Sequence, residues 1–215
     1  MSHADDARRL LRAHRYGALS TQSQRFGGYP FGSITPYMVD QDGSLIIHIS
    51  ALAEHTKNIG CDPRVSLIAH NQDNPDIRMQ GRVTVIGNAA RTDHQPRYLR
   101  YFPDAEALTQ LDFAFYRIEP VAIRYIGGIG SIHWVETQRY AAPTFAEGDL
   151  LERIDAAALL ARHCGVSALH AQVAGIDCDG LDIRCDERLY RLDFADPPTA
   201  PPDAEQLQHM PLLHR

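Results

Sequence analysis

The first 140 residues contain short segments in which apolar and polar residues alternate, the pattern of half-buried β-strands. LIIHIS and RVSLIAH are also rich in β-branched residues, which favour strands. The turn Gln41-Asp42-Gly43-Ser44 predicts a hairpin, because Asp-Gly fits the tight turns between antiparallel strands. Glycines within the segment 78–92 predict a bend or bulge. The predicted strands cover residues 16–21, 33–40, 45–50, 64–70, 78–92, 112–128 and 130–135.

Helical spacing of apolar residues separates these strands. In the opening helix Ala7, Leu10 and Leu11 share one face, and the arginines between them lie mostly elsewhere. The helical segments cover residues 5–14, 53–59, 94–103 and 104–111. Many short strands in hairpin order predict a mainly β, α+β fold, an antiparallel barrel with peripheral helices. A Rossmann-type fold is disfavoured, because no GxGxxG follows a strand.

The sequence changes character at Ala141-Ala142-Pro143, which predicts a domain boundary. Residues 146–164 have the pattern of one helix, and 171–194 that of a three-stranded meander with turns at Asp179-Gly180 and Asp186-Glu187. A proline-rich tail follows and ends in one short helix. We therefore predict a barrel domain over 1–140 and a small C-terminal α+β domain over 147–215.

Composition limits the function. The chain has 215 residues, of which 44% are hydrophobic and 22% charged, as is ordinary for a soluble globular protein. A net charge of −6 argues against a general nucleic-acid binder, since phosphate contacts need a basic face. No apolar run is long enough to cross a bilayer and the N-terminus has no apolar signal core, so we expect a cytoplasmic protein without membrane contact. Four cysteines without CxxC spacing predict neither a zinc site nor disulfides: Cys61, Cys164, Cys178 and Cys185.

An anion-binding group is predicted from basic residues. Arg78 and Arg82 have even spacing, so in an unbroken strand they point to the same face. Lys57 comes from the nearby helix, and Ser50 ends the strand before it. Guanidinium forks, an ammonium and a hydroxyl are the donors that a phosphate or carboxylate needs. The alternative is a solvated, charged strand face.

Three consecutive motifs resemble one known family. They are LA-x-HT-x-N at 52–58, DPR-x-SL at 62–67 and R-V-T-x-x-G at 82–87. In this order they resemble the pyridoxamine 5'-phosphate oxidase-like, FMN-binding split-barrel proteins, and among these the haem-utilisation subgroup. The resemblance covers 5–136 most strongly and 147–195 more weakly. It implies a split β-barrel that forms a homodimer with a planar-cofactor groove between the two subunits.

The resemblance also implies roles for single residues. In such proteins residues matching Ser50, Lys57, Arg78 and Arg82 grip the FMN phosphate or lie near the haem propionates. A histidine at the position of His55 lies near the dimer interface and pairs with an acidic residue of the other subunit.

Asp112 matches that acidic position, so His55 and Asp112 are the candidate catalytic residues and His55 is also a candidate cofactor contact. The alternative is that His55 is an exposed or internally hydrogen-bonded histidine.

The segment GGIGSIHW at 127–134 is similar to the family's GGFG-x-A-x-W. Trp134 is therefore a candidate to anchor the dimer interface or to stack on a planar cofactor. We favour a third interpretation, a tight strand crossing with Trp134 in the core. Strand alternation places His133 on the face opposite Trp134.

Haem also needs an axial ligand, most often a histidine. In haem-degrading relatives it can lie on a C-terminal loop, so His209 and His214 are the candidate iron ligands. His163 and His170 are further candidates. The C-terminal module of the subgroup usually carries a His-Met-Asn-x-Asp-His motif, in place of which this chain has ARHCGVSALH.

The resemblance predicts a haem-utilisation protein that binds haem at a dimer-interface groove. Oxidative ring opening by a haem oxygenase-like reaction is left open. An FMN-binding flavoprotein oxidoreductase and a non-enzymatic haem carrier are the two alternatives, and the choice between haem and FMN stays undecided at this point.

Overall fold

The computed structural model describes residues 2–72, 75–168, 170–198 and 200–214. The chain divides into two compact units, Met1–Ala141 and Ala142–Arg215. In the described part of the chain, no helix has both the length and the apolar character that a membrane-spanning helix requires.

The first unit is one antiparallel sheet with helices around it. The strands run in the order β2-β1-β5-β6-β7-β4-β3, and β8 pairs with β7 beyond β4. This confirms the predicted mainly β, α+β fold with a split antiparallel barrel. Its elements are α1 (His3–Ala13), β1 (Tyr16–Gln22), β2 (Pro30–Pro36), β3 (Met38–Val39), β4 (Leu45–Ser50), α2 (Glu54–Cys61), β5 (Arg64–His70), β6 (Arg82–Arg91), α3 (Pro96–Tyr101), α4 (Ala105–Leu108), β7 (Phe113–Gly128), β8 (Ser131–Val135) and α5 (Thr137–Tyr140).

The long strand β7 organises this sheet. Its first half pairs with β4, its second half pairs with β8, and β6 follows it along most of its other side. The register of β6 and β7 shifts between Ile86 and Gly87, which confirms the predicted bulge. A Cβ atom on Gly87 would lie 2.4 Å from the Glu119 carbonyl oxygen, so the close strand approach at the bulge requires glycine.

The core of this unit lies between the sheet and α1. Alternate strand residues such as Leu19, Leu67 and Val83 point inward with Ala7 and Leu11 of the helix. The expectation that the arginines of α1 lie away from the buried face is wrong, because Arg8, Arg9 and Arg12 are buried as well.

Two of these guanidinium groups have main-chain partners. Arg12 donates to the carbonyls of Asp40 and Gln41, each at 3.0 Å, and Arg8 donates to the Tyr140 carbonyl at 3.0 Å. Such hydrogen bonds allow a charged group to be buried.

The C-terminal unit is a four-stranded antiparallel sheet with helices. The strand order is β12-β11-β10-β9, so the predicted meander is present and an unpredicted strand is added at its edge. The predicted turns at Asp179-Gly180 and Asp186-Glu187 connect its hairpins. Its elements are α6 (Leu150–Arg153), α7 (Ala156–Cys164), β9 (Ala171–Asp177), β10 (Gly180–Cys185), β11 (Arg188–Phe194), α8 (Ala204–His209) and β12 (Leu212–His214).

The expectation of one continuous helix over 146–164 is wrong, since the chain leaves the helical conformation at Ile154. Asp155 then starts a new helix, because its carboxylate accepts a hydrogen bond from the Ala158 amide at 2.9 Å. The short helix predicted in the tail is α8.

Candidate functional site

Ser50 and Asp112 form a clip at the end of β4. The Ser50 hydroxyl donates to the Asp112 carboxylate at 2.6 Å. The Leu52 amide donates to the same carboxylate at 3.3 Å and to the Ser50 hydroxyl at 3.1 Å. The Thr56 hydroxyl donates to the Ser50 carbonyl at 2.6 Å. The clip thus joins β4 and β7 to the start of α2, and the hydrogen bond from Ser50 lowers the pKa of Asp112.

His55 lies in the first turn of α2, where it is half-buried. Its Nδ1 atom is 3.1 Å from the Ser33 hydroxyl on β2. Burial lowers the pKa of His55, which favours the neutral imidazole. Within one chain the Asp112 carboxylate is engaged by Ser50. The pairing of His55 with an Asp112 of another subunit therefore stays a prediction.

Lys57 is the only lysine of the chain. It is exposed on α2, two residues after His55 and thus on another side of the helix. Its ammonium group makes no hydrogen bond or ion pair with the residues that the structure describes. Its ammonium group is therefore available to an external anion.

Arg78 and Arg82 do not form the predicted pair on one strand face. The ladder of β6 begins at Arg82, and Arg78 lies in the turn before it. Arg78 is exposed and its guanidinium is paired with the Asp76 carboxylate at 2.8 Å. Arg82 donates to the carbonyls of Ile77 at 3.1 Å and Gln80 at 3.3 Å. The prediction of a shared strand face is wrong because Arg78 lies in the turn and not in β6. The Asp76 carboxylate pairs with the Arg78 guanidinium, and turn carbonyls accept from the Arg82 guanidinium.

The outer face of the sheet contains a row of residues in direct cross-strand register. The row crosses six strands, from β2 through β1, β5, β6 and β7 to β8. Its members are Ile34, Ala18, Ile68, Thr84, Arg124 and Trp134. Apart from Arg124 the row is uncharged, and its ends Ile34 and Trp134 are 71% and 61% exposed.

The interpretation of Trp134 as a core residue is therefore wrong, because its side chain is exposed. Alternation along β8 turns Val135 inward and Trp134 outward. The Arg124 guanidinium carbon lies 4.9 Å from the centre of the indole ring, a cation–π contact. Arg124 was not predicted, since no motif marks it and its partner is known only once the register of β7 and β8 is known.

His133 and His3 lie on the other side of β8. Their rings are stacked with centroids 3.6 Å apart. A cavity of about 260 Å³ opens beside them and is lined by Ser2, His3, Ala4, Trp134, Val135, Glu136 and Arg139. The predicted placement of His133 opposite Trp134 agrees with this arrangement.

The structure does not bring all predicted site residues together in one chain. The clip, His55 and Lys57 lie at the α2 end of the unit, and His55 contacts β2 through Ser33. Trp134 lies on β8, five strands away along the row. At the usual strand spacing, this path along the curved sheet is roughly 24 Å long. The candidate site is thus divided into two half-sites, an α2 half and a β7–β8 half.

The C-terminal histidines occupy different environments within their own unit. His209 ends α8 and His214 lies in β12, where its ring centroid is 6.0 Å from that of Tyr190, and both are exposed. His170 is exposed as well. Burial lowers the pKa of His163, while a hydrogen bond with the Leu212 backbone opposes this shift. Their role as iron ligands stays a prediction.

All four cysteines are free thiols. Cys61 is exposed, Cys164 is half-buried, and Cys178 and Cys185 are buried. Ligand atoms of Asp177, Cys178 and Asp179 lie within 4.8 Å of one another, but Arg191 already forms two hydrogen bonds to the Asp177 carboxylate.

The curved antiparallel sheet, with a short helix after β4 and a helical insert before β7, defines a split-barrel protein. A family model described as "CREG, beta-barrel" matches residues 1–142. The chain belongs to this family, which confirms the split-barrel resemblance of its motifs.

Several known proteins are similar to this chain. "Non-canonical heme oxygenase HOZ, chloroplastic" of Arabidopsis thaliana is 35% identical over 137 residues, which are 61% of this chain and 42% of that protein. The chain thus spans less than half the length of this curated relative. A solved structure described as a heme binding protein from Mycobacterium smegmatis has 25% identity and a TM-score of 0.61, covering 93% of this chain and 91% of that one. Atu2129 of Agrobacterium tumefaciens, of unknown function, has 24% identity and a TM-score of 0.72, covering 92% and 89%.

Proposed function

We propose that this protein binds haem in a groove between two copies of its barrel unit. The observation that carries the proposal is the division of the candidate site into two half-sites, one near each end of the cross-strand row. Similarity to a relative named as a heme oxygenase and to a structure named as a heme binding protein supports haem as the ligand.

The outer sheet face has the properties of an interface between copies. Exposed large apolar residues lie along it, namely Ile34, Ile86, Ile132 and Trp134. Contiguous exposed apolar surface of this kind marks interaction sites. Homo-oligomers most often pair the same surface on both subunits around a two-fold axis.

A two-fold axis that runs parallel to the strands at the centre of the row would make the strand order of one copy run opposite to that of the other. The central pair of the row is Ile68 on β5 and Thr84 on β6. Around an axis at this pair, Trp134 of one copy comes to the β2 and α2 end of the other. The two half-sites then face each other twice in the dimer, once on each side of the axis.

The residues of these half-sites fit the chemical needs of haem. Haem has a planar apolar ring, two carboxylates and an iron that takes nitrogen ligands. Trp134 offers an exposed aromatic face, Lys57 an unpaired cation, and His55 a neutral imidazole whose Nδ1 is held by Ser33. When bound, haem supplies the iron that activates oxygen. The chain's own residues hold the ring, pair with its carboxylates and exclude water.

The geometry favours haem over FMN. A phosphate dianion needs several donors that converge on one point. Arg78 and Arg82 were predicted to provide them, but Asp76 and turn carbonyls take these guanidinium groups. The two carboxylates of haem are separate and need single cations at separate places, as Lys57 provides.

The first test is an absorption spectrum of the purified protein, recorded as isolated and during titration with haemin. We expect a saturable Soret band at one haem per chain, and no flavin bands. Addition of ascorbate under air then tests ring opening, which bleaches the Soret band. Flavin bands as isolated, or no saturable haemin binding, would refute the proposal.

A second test addresses the dimer. Ile68→Asp places two carboxylates against each other near the proposed axis, so we expect monomers in sedimentation and weaker haemin binding. Leu213→Asp is the matched control, since it charges an exposed apolar residue of the other unit and leaves the sheet face intact. A dimeric Ile68→Asp variant would contradict the proposed interface.

A further inference from the structure

Arg124 is a cation on a part of the sheet face that contains no acidic residue. It points outward from β7, and its direct cross-strand neighbours are Thr84 on β6 and Trp134 on β8. The outward positions around it are Ile68, Arg82, Thr84, Ile86, Ala122, Ile126 and Ile132. None of these residues carries a negative charge that could pair with the guanidinium group.

The guanidinium group of Arg124 has no carboxylate partner among the residues that the structure describes, and its recorded contact is with the Trp134 ring at 4.9 Å. Other arginines of the same unit differ in this respect. Arg64 pairs with Asp62, Arg78 with Asp76 and Arg139 with Glu136. Arg124 therefore keeps its full charge available at the face that we place between two copies.

An unpaired guanidinium is costly to enclose in an interface, because it loses water without gaining an anion. Around the axis proposed above, Arg124 of one copy faces Ala18 of the second copy. The outward residues around Ala18 include no aspartate or glutamate; they are Tyr16, Ser20, Ile34, Ser66 and Ile68. The positions around Arg124 in its own copy hold none either. The missing negative charge must therefore come with the ligand.

We infer that Arg124, held against Trp134, binds a carboxylate of the ring ligand in the β7–β8 half of the groove. This inference rests on the proposed function and deepens it. Arg124 and Lys57 then supply one cation from each half-site, one for each of two separate carboxylates. A planar guanidinium fork fits a carboxylate with two parallel hydrogen bonds, and stacking on the indole restricts its motion beforehand.

The test compares haemin with haemin dimethyl ester, in which both carboxylates are capped and the ring and iron are kept. Arg124→Gln removes the charge at a surface position. We expect this variant to bind haemin about tenfold to a hundredfold more weakly than the unaltered protein, as loss of a charge-assisted hydrogen bond predicts, and to bind the ester with unchanged affinity. Arg124→Lys keeps the charge without the fork and should bind haemin with intermediate affinity.

Arg153→Gln is the charge-matched control, since Arg153 is exposed in the other unit and the change in net charge is the same. It should bind both ligands like the unaltered protein. If Arg124→Gln lowers the affinity for haemin and for the ester equally, or lowers neither affinity, the carboxylate role of Arg124 is refuted while haem binding stands. If the unaltered protein binds no haemin, the proposed function and this inference fail together.

Discussion

Removal of Arg191 should destabilise the C-terminal unit severely. Arg191 lies on β11 and is only 4% exposed. Its guanidinium donates to Asp193 at 2.9 Å, to Asp182 at 3.0 Å and twice to Asp177, at 2.8 and 2.9 Å. Burial by itself would lower the pKa of Arg191, but the charges of Asp177 and Asp182 raise it well above its ordinary value. One cation thus joins three of the four strands of the sheet, β9, β10 and β11.

The magnitude follows from what the substitution leaves behind. Arg191→Met keeps much of the side-chain volume but leaves three buried carboxylates without their shared cation. Breaking one buried ion pair by removal of one partner costs about 3–5 kcal/mol. Whole domains are stable by about 5–15 kcal/mol, so this loss removes a large part of the stability of the unit.

Hydrogen exchange measured by mass spectrometry is the suitable assay, because it reports on each unit separately. In Arg191→Met the amides of β9, β10 and β11 should exchange about two to four orders of magnitude faster, and those of β5 to β7 should exchange at the original rate. Arg188→Met is the matched control, since Arg188 lies on the same strand but is exposed. Unchanged exchange in β9–β11 would refute the idea that this cation holds the sheet together.

Three further predictions concern the barrel unit. Burial lowers the pKa of His48, and both of its ring nitrogens lack a hydrogen-bond partner among the described residues. The unfolded chain then binds a proton that the folded chain excludes, so stability should fall as the pH drops below about 6.5. In urea denaturation, the free energy of unfolding should decrease less on acidification for His48→Phe than for the unaltered protein. An equal decrease in both proteins would contradict this. Gly87→Ala should cost about 1–3 kcal/mol in urea denaturation, because its Cβ would lie 2.4 Å from a main-chain oxygen, whereas Gly60→Ala, with open space around it, should cost nothing. Asp112→Ala should speed hydrogen exchange in the first turn of α2 without lowering the melting temperature of the barrel. Loss of the Ser50 and Leu52 hydrogen bonds frees only that turn, and unchanged exchange there would show that the clip does not hold it.

The strands of the barrel could be predicted from sequence because their signals are local. Alternation decides which residues of β1 and β5 face the core, and Asp42-Gly43 marks the hairpin between β3 and β4. Each of these signals needs only neighbouring residues. The bulge at Gly87 could be predicted for the same reason.

The features that sequence reasoning missed depend on distant partners. Burial of Arg12 requires the carbonyls of Asp40 and Gln41, which approach α1 only in the folded unit. The capture of Arg78 by Asp76 is local, but a pattern of alternating residues does not show where a turn ends and a strand begins. Sequence reasoning therefore places the Arg78 guanidinium on a strand face, whereas the structure has a turn at this residue.

Arg124 shows most clearly why a site of this kind escapes sequence analysis. Its pairing with Trp134 depends on a register shift between Ile126 and Gly128, which no local pattern specifies. Its separation from Lys57 within one chain hides any relation between the two cations. If the two half-sites meet only between copies, haem binding and dimer formation are linked, and haem must stabilise the dimer by mass action. Dilution of the protein should then weaken haem binding, which a groove complete within one chain would not show.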